Sequence, residues 1–272
     1  MTELHPFGTM NTLSNPGNFT PQSDPWQELR ALTEARIALG RTGGSVTTAE
    51  VLDFRMAHAA ARDAVLTPFD PGALAQEIHH LGAPTLPVTS AALTRAHYLQ
   101  RPDQGRRLSA ASRAALTDFS LGQPPVDLVI IVADGLSTQA LSQVPPLLAV
   151  LWPALQEAGW SVAPVVVASQ GRVALQDEIG EILRARLSLM LLGERPGLDS
   201  ADSLGAYFTW SPRVGRTDAE RNCLSNIRAA GLPPAAAAAR LIDLLTRARR
   251  LELSGTALKD ETPAPVLPTP KE

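Results

Sequence analysis

The sequence has little of several residue types, and each shortage excludes a class of protein. A single cysteine, Cys223, leaves no disulfide within the chain, which is typical of a reducing compartment and predicts a cytoplasmic protein. Aromatic residues make up only 4%, so a core must be built from Ala, Val, Leu and Ile. The 24 Lys and Arg residues are balanced by 27 Asp and Glu, which argues against a dedicated nucleic-acid binder. No apolar run reaches the roughly 18 residues of a membrane span.

Composition and periodicity divide the chain into four regions. Residues 1–25 are rich in Asn, Thr, Pro and Gly, lack the pattern of a secretory signal, and are predicted to form a disordered or partner-ordered tail. Residues 257–272 are expected to be a Pro-rich flexible tail. Residues 26–121 show apolar residues at helical spacing. Helices are expected there at about 26–37, 47–66, 71–80, 89–95 and 109–119.

Residues 122–256 alternate between strand and helix patterns. The apolar runs VDLVIIVAD, WSVAPVVVAS and LSLMLLG are typical of strands buried on both faces, and helical patterns at about 137–157 and 173–186 separate them. This β-α-β-α-β order predicts an α/β fold, a Rossmann-like doubly wound parallel sheet preceded by a helical N-terminal region. AYFTW is a candidate edge strand, and closing helices are expected at about 217–229 and 234–251.

The turn after the third strand, LLGERPGL, is the strongest candidate for a site. It holds Glu194 and Arg195 between Gly193 and the Pro196–Gly197 pair, so the charged side chains sit in a turn with little conformational freedom. Ligands of open α/β sheets bind at the carboxyl ends of strands, which favours a binding site here. The alternative is a polar exit turn whose side chains face water.

The other turns carry weaker signals. In ADGLST, Asp134 is either a metal ligand or a complement to the dipole of the next helix. In ASQGRV, backbone N–H groups at the start of a helix either hold a phosphate or amide oxygen or belong to a plain capped loop. Cys223 is expected on a helix, as a small core residue or a packing contact. The histidines lack zinc-site spacing, and no acid–base set is complete, so the chemistry is expected on a partner or a cofactor.

Taken in order, these turns resemble the small (light) subunit of ethanolamine ammonia-lyase. The resemblance includes ARIALGRTGGSVTTAEVLDFRMAHAAARDAV, DLVIIVADGLS and GLPPAAAAARLIDLL, and covers residues 26–256. It implies adenosylcobalamin-dependent radical conversion of ethanolamine to acetaldehyde and ammonia. It also implies a large subunit that holds the substrate and the catalytic residues. The resemblance also implies that the two subunits form a hetero-oligomer, which in this family often lies inside a bacterial microcompartment.

The resemblance further implies that this subunit covers the cobalamin at the subunit interface. Val173 is expected to contact the cofactor at a helix start, Glu194 to accept hydrogen bonds from cobalamin amides, and Cys223 to pack against the cofactor. Arg195, Asn222 and the Asp134 turn are expected nearby without direct contact, and neither a catalytic residue nor a metal site is expected in this chain.

Two alternatives come from other functional classes. A metal-dependent phosphohydrolase using Asp134 would need further carboxylate or His ligands at strand ends, and the sequence supplies few. A noncatalytic interaction module would bind the large subunit but tolerate loss of Glu194 without a change in cobalamin affinity.

Overall fold

The computed structural model describes residues 24, 26–33 and 35–259. Apart from Asp24, the predicted N-terminal tail lies outside the described residues, as do residues 260–272 of the predicted C-terminal tail. None of the described helices is both long and apolar enough to cross a membrane. The α-helices are α1 (Thr48–Leu66), α2 (Pro71–His80), α3 (Arg95–Gln100), α4 (Ala110–Ser120), α5 (Val144–Glu157), α6 (Leu175–Ile182) and α7 (Pro234–Leu251). The strands are β1 (Arg41–Thr42), β2 (Ser45–Val46), β3 (Thr85–Thr89), β4 (Val126–Ala133), β5 (Val165–Ser169), β6 (Ala185–Gly193), β7 (Leu204–Trp210) and β8 (Arg221–Ile227).

The described residues form two compact units, which divide between Ala57 and His58. In the first unit, β1 and β2 form a short antiparallel hairpin, and none of the described residues is buried. The helix expected over 26–37 is reduced to a 3-10 helix at Gln27–Leu32, because the segment has no buried apolar face to stabilise a longer one.

The second unit is built on a six-stranded sheet in the order β3-β5-β4-β6-β7-β8. The strands β3, β5, β4 and β6 are parallel to one another. Strand β7 pairs antiparallel with β6, and β8 pairs antiparallel with β7. The predicted α/β class is confirmed, but the sheet is mixed rather than wholly parallel. The reason lies in residues 194–203, which contain no helix, since a parallel return needs a longer crossover.

Helices cover both faces of this sheet. Along β4, Leu128 and Ile130 pack in one apolar cluster with side chains of α2, α5 and α7. The alternate residues Val129 and Ile131 pack in a second cluster with α4 and α6. A strand buried on both faces must be apolar at successive positions, which explains the continuous run in the sequence.

The region predicted to be only helical contributes β3 to the edge of the sheet, parallel to β5. The sequence pattern did not predict this strand because it contains Pro87. Proline lacks a backbone N–H donor and is tolerated in sheets mainly at edges. The helix expected over 89–95 is therefore wrong. The next helix, α3, begins only at Arg95, where the Thr94 side chain accepts a hydrogen bond from the His97 backbone.

The helix predicted over 217–229 is also wrong, because this segment contains strand β8 and Cys223 lies on that strand. A register shift against β7 pairs Leu224 with Ala206 and Ile227 with Leu204. One extra residue on β8 therefore lets Leu224 and Ile227, three positions apart as on a helix face, both point into the core. The bulge therefore gives the apolar residues of β8 the spacing that is typical of a helix.

Candidate functional site

The carboxyl ends of β4, β5 and β6 lie side by side and bring the three predicted turns to one edge of the sheet. Ala133 pairs with Ala168 on β5 and with Leu192 on β6, so the strands end at nearly the same level. Asp134, Gln170 and Glu194 each follow directly or closely after one of these ends. The sheet topology thus unites residues that are up to sixty positions apart.

Asp134 is buried and fixes the turn after β5. Its Oδ1 accepts a hydrogen bond from the backbone N–H of Gln170 at 2.5 Å, and its Oδ2 accepts one from Arg95 at 3.0 Å. Gln170 has a φ of 59°, in the left-handed region that is unfavourable for a side chain of this kind. Burial raises the pKa of Asp134 to about 6, although Arg95 and the Gln170 amide oppose this rise.

Each carboxylate oxygen of Asp134 thus accepts a hydrogen bond from the chain itself. No group of three or more His, Cys, Asp or Glu side chains in the described part of the chain is placed to hold a metal ion. The phosphohydrolase alternative therefore gains no support from the geometry.

Tyr98 is fully buried behind the same turn and was not identified from the sequence. Its hydroxyl donates to the carbonyl oxygen of Gly171 at 2.9 Å. The guanidinium groups of Arg95 and Arg172 lie 5.0 and 4.3 Å from the centre of its ring. These contacts fix the backbone from which Val173 projects.

Val173 and Cys223 line one cleft of about 680 Å³, between the start of α6 and strand β8. Tyr207 also lines it, and its backbone pairs with that of Cys223 across β7 and β8. The Tyr207 hydroxyl donates to Oε1 of Glu194 at 2.6 Å, so Glu194 is connected to the cleft through Tyr207. The structure therefore brings together the three residues that were expected to contact a cofactor.

The remaining predicted neighbours behave differently. Arg195 is exposed and does not line the cleft. The Asn222 amide donates to the carbonyl oxygens of Gly255 at 3.2 Å and Leu258 at 2.8 Å, so it anchors the segment after α7 rather than the cleft.

The electrostatics of the cleft favour Cys223 as a packing contact rather than as a reactive thiolate. Desolvation raises the pKa of the Cys223 thiol and the nearby Glu194 charge adds to the rise, although a hydrogen bond with Tyr207 opposes it. Burial and the hydrogen bond to Glu194 also raise the pKa of Tyr207. No His lines the cleft among the described residues, so the thiol lacks the imidazole that commonly activates a cysteine nucleophile.

Comparison with known proteins assigns the sequence to a family. The model of the ethanolamine ammonia-lyase light chain (EutC) family matches residues 23–259. An ethanolamine ammonia-lyase small subunit from Ralstonia nicotianae is 52% identical over 250 residues, which cover 91% of this chain and 93% of that protein. Small subunits from Pseudomonas aeruginosa and Pseudomonas fluorescens are 55% and 53% identical over 88% of this chain, and the matches cover 88% and 87% of those proteins.

Proposed function

The chain belongs to the ethanolamine ammonia-lyase light chain family, and on that premise we propose that it covers adenosylcobalamin against a large catalytic subunit. The observation that carries this proposal is the convergence of Val173, Glu194 and Cys223. These residues come from three separate segments and meet at and beside one cleft at the carboxyl edge of the sheet. From the family resemblance we also propose that the two subunits form a hetero-oligomer. Where the host makes a bacterial microcompartment, we propose that the hetero-oligomer lies inside it.

The chemistry of the cleft suits one side of a corrinoid. The Tyr207 hydroxyl donates its hydrogen bond to Oε1 of Glu194. Oε2 has no hydrogen-bond partner in the described part of the chain, so it is available to accept a hydrogen bond from a peripheral amide. Val173 offers an apolar contact and Cys223 a small, protonated one. When bound, adenosylcobalamin supplies the radical chemistry, while this chain positions and shields the cofactor. A corrinoid is larger than the cleft, so a second protein surface must complete the site.

The exposed apolar side chains of residues 26–66 favour a large partner. Helix α1 has 19 residues but only one buried side chain, Ala64. Trp26, Leu32, Phe54 and Met56 expose 66%, 68%, 47% and 71% of their surface. Exposed apolar side chains of this size are typical of interaction surfaces, and a helix of this length gains most of its stability from packing.

An ammonia-release assay with ethanolamine and adenosylcobalamin tests the function. It compares this chain alone, the matching large subunit alone, and the two mixed. We expect ammonia only from the mixture, because the cleft residues contain no acid–base set and the large subunit holds the substrate. A mixture that assembles but releases no ammonia would contradict the proposal, and ammonia from this chain alone would contradict its cofactor-covering role.

Replacement of Glu194 by Ala is expected to weaken cobalamin binding to the assembled complex by about 1.5–3 kcal/mol, because a charge-assisted hydrogen bond is lost. The measurement is equilibrium titration of cyanocobalamin, followed by its absorbance. Tyr207→Phe is the matched control, since it removes only the bond to Oε1 and keeps the carboxylate. Unchanged affinity in an assembled Glu194→Ala complex would favour the interaction module instead.

A further inference from the structure

The cleft that contains Val173 and Cys223 is rich in arginine. Arg106, Arg172, Arg216 and Arg221 line it, and Asp218 is the one acidic residue among the described lining residues. A peripheral amide of the corrin is neutral, so binding it does not require several positive charges. The lining therefore points to a second kind of contact, with an anion.

Two of these arginines are matched by carboxylates of the chain itself. Arg221 forms a bidentate ion pair with Asp177, in which Nη1 and Nη2 lie 2.6 and 2.7 Å from the two carboxylate oxygens. Arg216 forms an ion pair with Glu220. Their charges are consequently largely compensated within the fold.

Arg106 and Arg172 have no acidic partner in the described part of the chain. Arg106 is exposed, while Arg172 lies against the Tyr98 ring, and its buried Nε has no hydrogen-bond partner. The main chain holds the two arginines next to each other, because the Arg172 backbone N–H donates to the carbonyl oxygen of Gly105 at 2.8 Å. These two positive charges are the uncompensated ones in the cleft.

Backbone donors lie beside these two arginines. The N–H groups of Val173 and Ala174, just before α6, have no acceptor among the described residues. Guanidinium and backbone N–H donors together are the usual partners of a phosphate oxygen. The α6 dipole adds to the attraction for a negative group.

We infer that Arg106 and Arg172 bind the phosphodiester in the nucleotide loop of cobalamin, with the Val173 and Ala174 N–H groups as further donors. This inference rests on the proposed function, because the phosphodiester is the one anionic group on the periphery of the cofactor, where the other polar groups are neutral. Free phosphate has the same chemistry and is the competing source of the ligand. The two sources differ in whether the anion is covalently joined to the corrin.

The test uses the complex assembled with the large subunit and compares two corrinoids. Cyanocobalamin carries the nucleotide loop with its phosphodiester, and cyanocobinamide lacks both. Arg106→Gln and Arg172→Gln are each expected to weaken cyanocobalamin binding at least about tenfold and to leave cyanocobinamide binding unchanged. Arg107→Gln is the matched control, since Arg107 adjoins Arg106 but does not line this cleft, and it should change neither affinity.

The outcomes separate this inference from the proposed function. If both corrinoids lose affinity equally in Arg106→Gln and Arg172→Gln, the arginines act on the corrin or on the fold, and the inference is overturned. If calorimetry shows that inorganic phosphate binds the wild-type complex and the variants lose only that binding, the site takes free phosphate and the inference is also overturned. If the wild-type complex binds neither corrinoid, the proposed function itself fails.

Discussion

Replacing Asp177 with Ala is expected to lower the free energy of unfolding by about 3–5 kcal/mol, because it leaves a buried arginine without its carboxylate. Asp177 and Arg221 are 2% and 8% exposed and share two short hydrogen bonds. Burial raises the pKa of Asp177 and the Arg221 charge opposes that rise, so either partner left alone is a charge that the interior disfavours.

The other contacts of Arg221 cannot replace this carboxylate. Its guanidinium also donates to Thr209 Oγ1 at 3.1 Å and to the Arg216 carbonyl oxygen at 2.9 Å, and neither acceptor carries a charge. The nearest other acid, Asp218, lies at 3.4 Å but has a side chain that is 96% exposed, so water weakens its attraction.

Urea denaturation of Asp177→Ala and Asp218→Ala measures this difference. Asp218→Ala removes the same type of group from the same arginine and should change the unfolding free energy by no more than about 0.5 kcal/mol. Equal losses in the two variants would show that the buried pair is no more important than the exposed one. Replacing both Asp177 and Arg221 with apolar residues should cost less than Asp177→Ala alone, since no unpaired charge remains.

The Asp177–Arg221 pair also matters for the cleft. It joins α6, which follows Val173, to β8, which carries Cys223. We therefore expect its loss to disturb both walls at once. Nothing in the sequence indicated this link, because the two residues are 44 positions apart and each is an ordinary polar residue within its own segment.

Features that depend on local chain properties were predictable from the sequence. The apolar runs of β4, β5 and β6 are evident because both faces of these strands are buried. The start of α7 at Pro234 follows from the tolerance of proline in a first helical turn. The turn motifs were located correctly for the same reason, since each begins where an apolar run ends.

Features that depend on pairing between distant segments were not predictable. β3 was missed because Pro87 argues against a strand unless its position at the sheet edge is known. β8 was taken for a helix because its bulge gives a helical spacing of apolar residues. The hydrogen bond from Tyr207 to Glu194 also requires knowledge that β7 returns antiparallel to β6.

The stability difference between the wild-type chain and Asp134→Asn is expected to depend on pH. The pKa of Asp134 is about 6 in the folded chain, compared with an ordinary value of 3.8. Between these pH values the folded state binds more protons than the unfolded state, so this group makes the wild type less stable as pH rises. A shift of about two units corresponds to about 3 kcal/mol between pH 4 and pH 7. Asn does not titrate, so the wild type should lose that amount relative to the variant across this range.

Urea denaturation of both proteins at several pH values measures this change, and the comparison cancels all other titrating groups. Asp103→Asn is the matched control, because Asp103 is exposed and its hydrogen bond with Arg101 lowers the pKa of its carboxyl to about 2. Its stability difference should change little and in the opposite direction. A difference between wild type and Asp134→Asn that stays constant from pH 4 to pH 7 would mean that Asp134 titrates normally. In that case Arg95 and the Gln170 amide would fully offset the effect of burial on Asp134 in the turn that positions Val173.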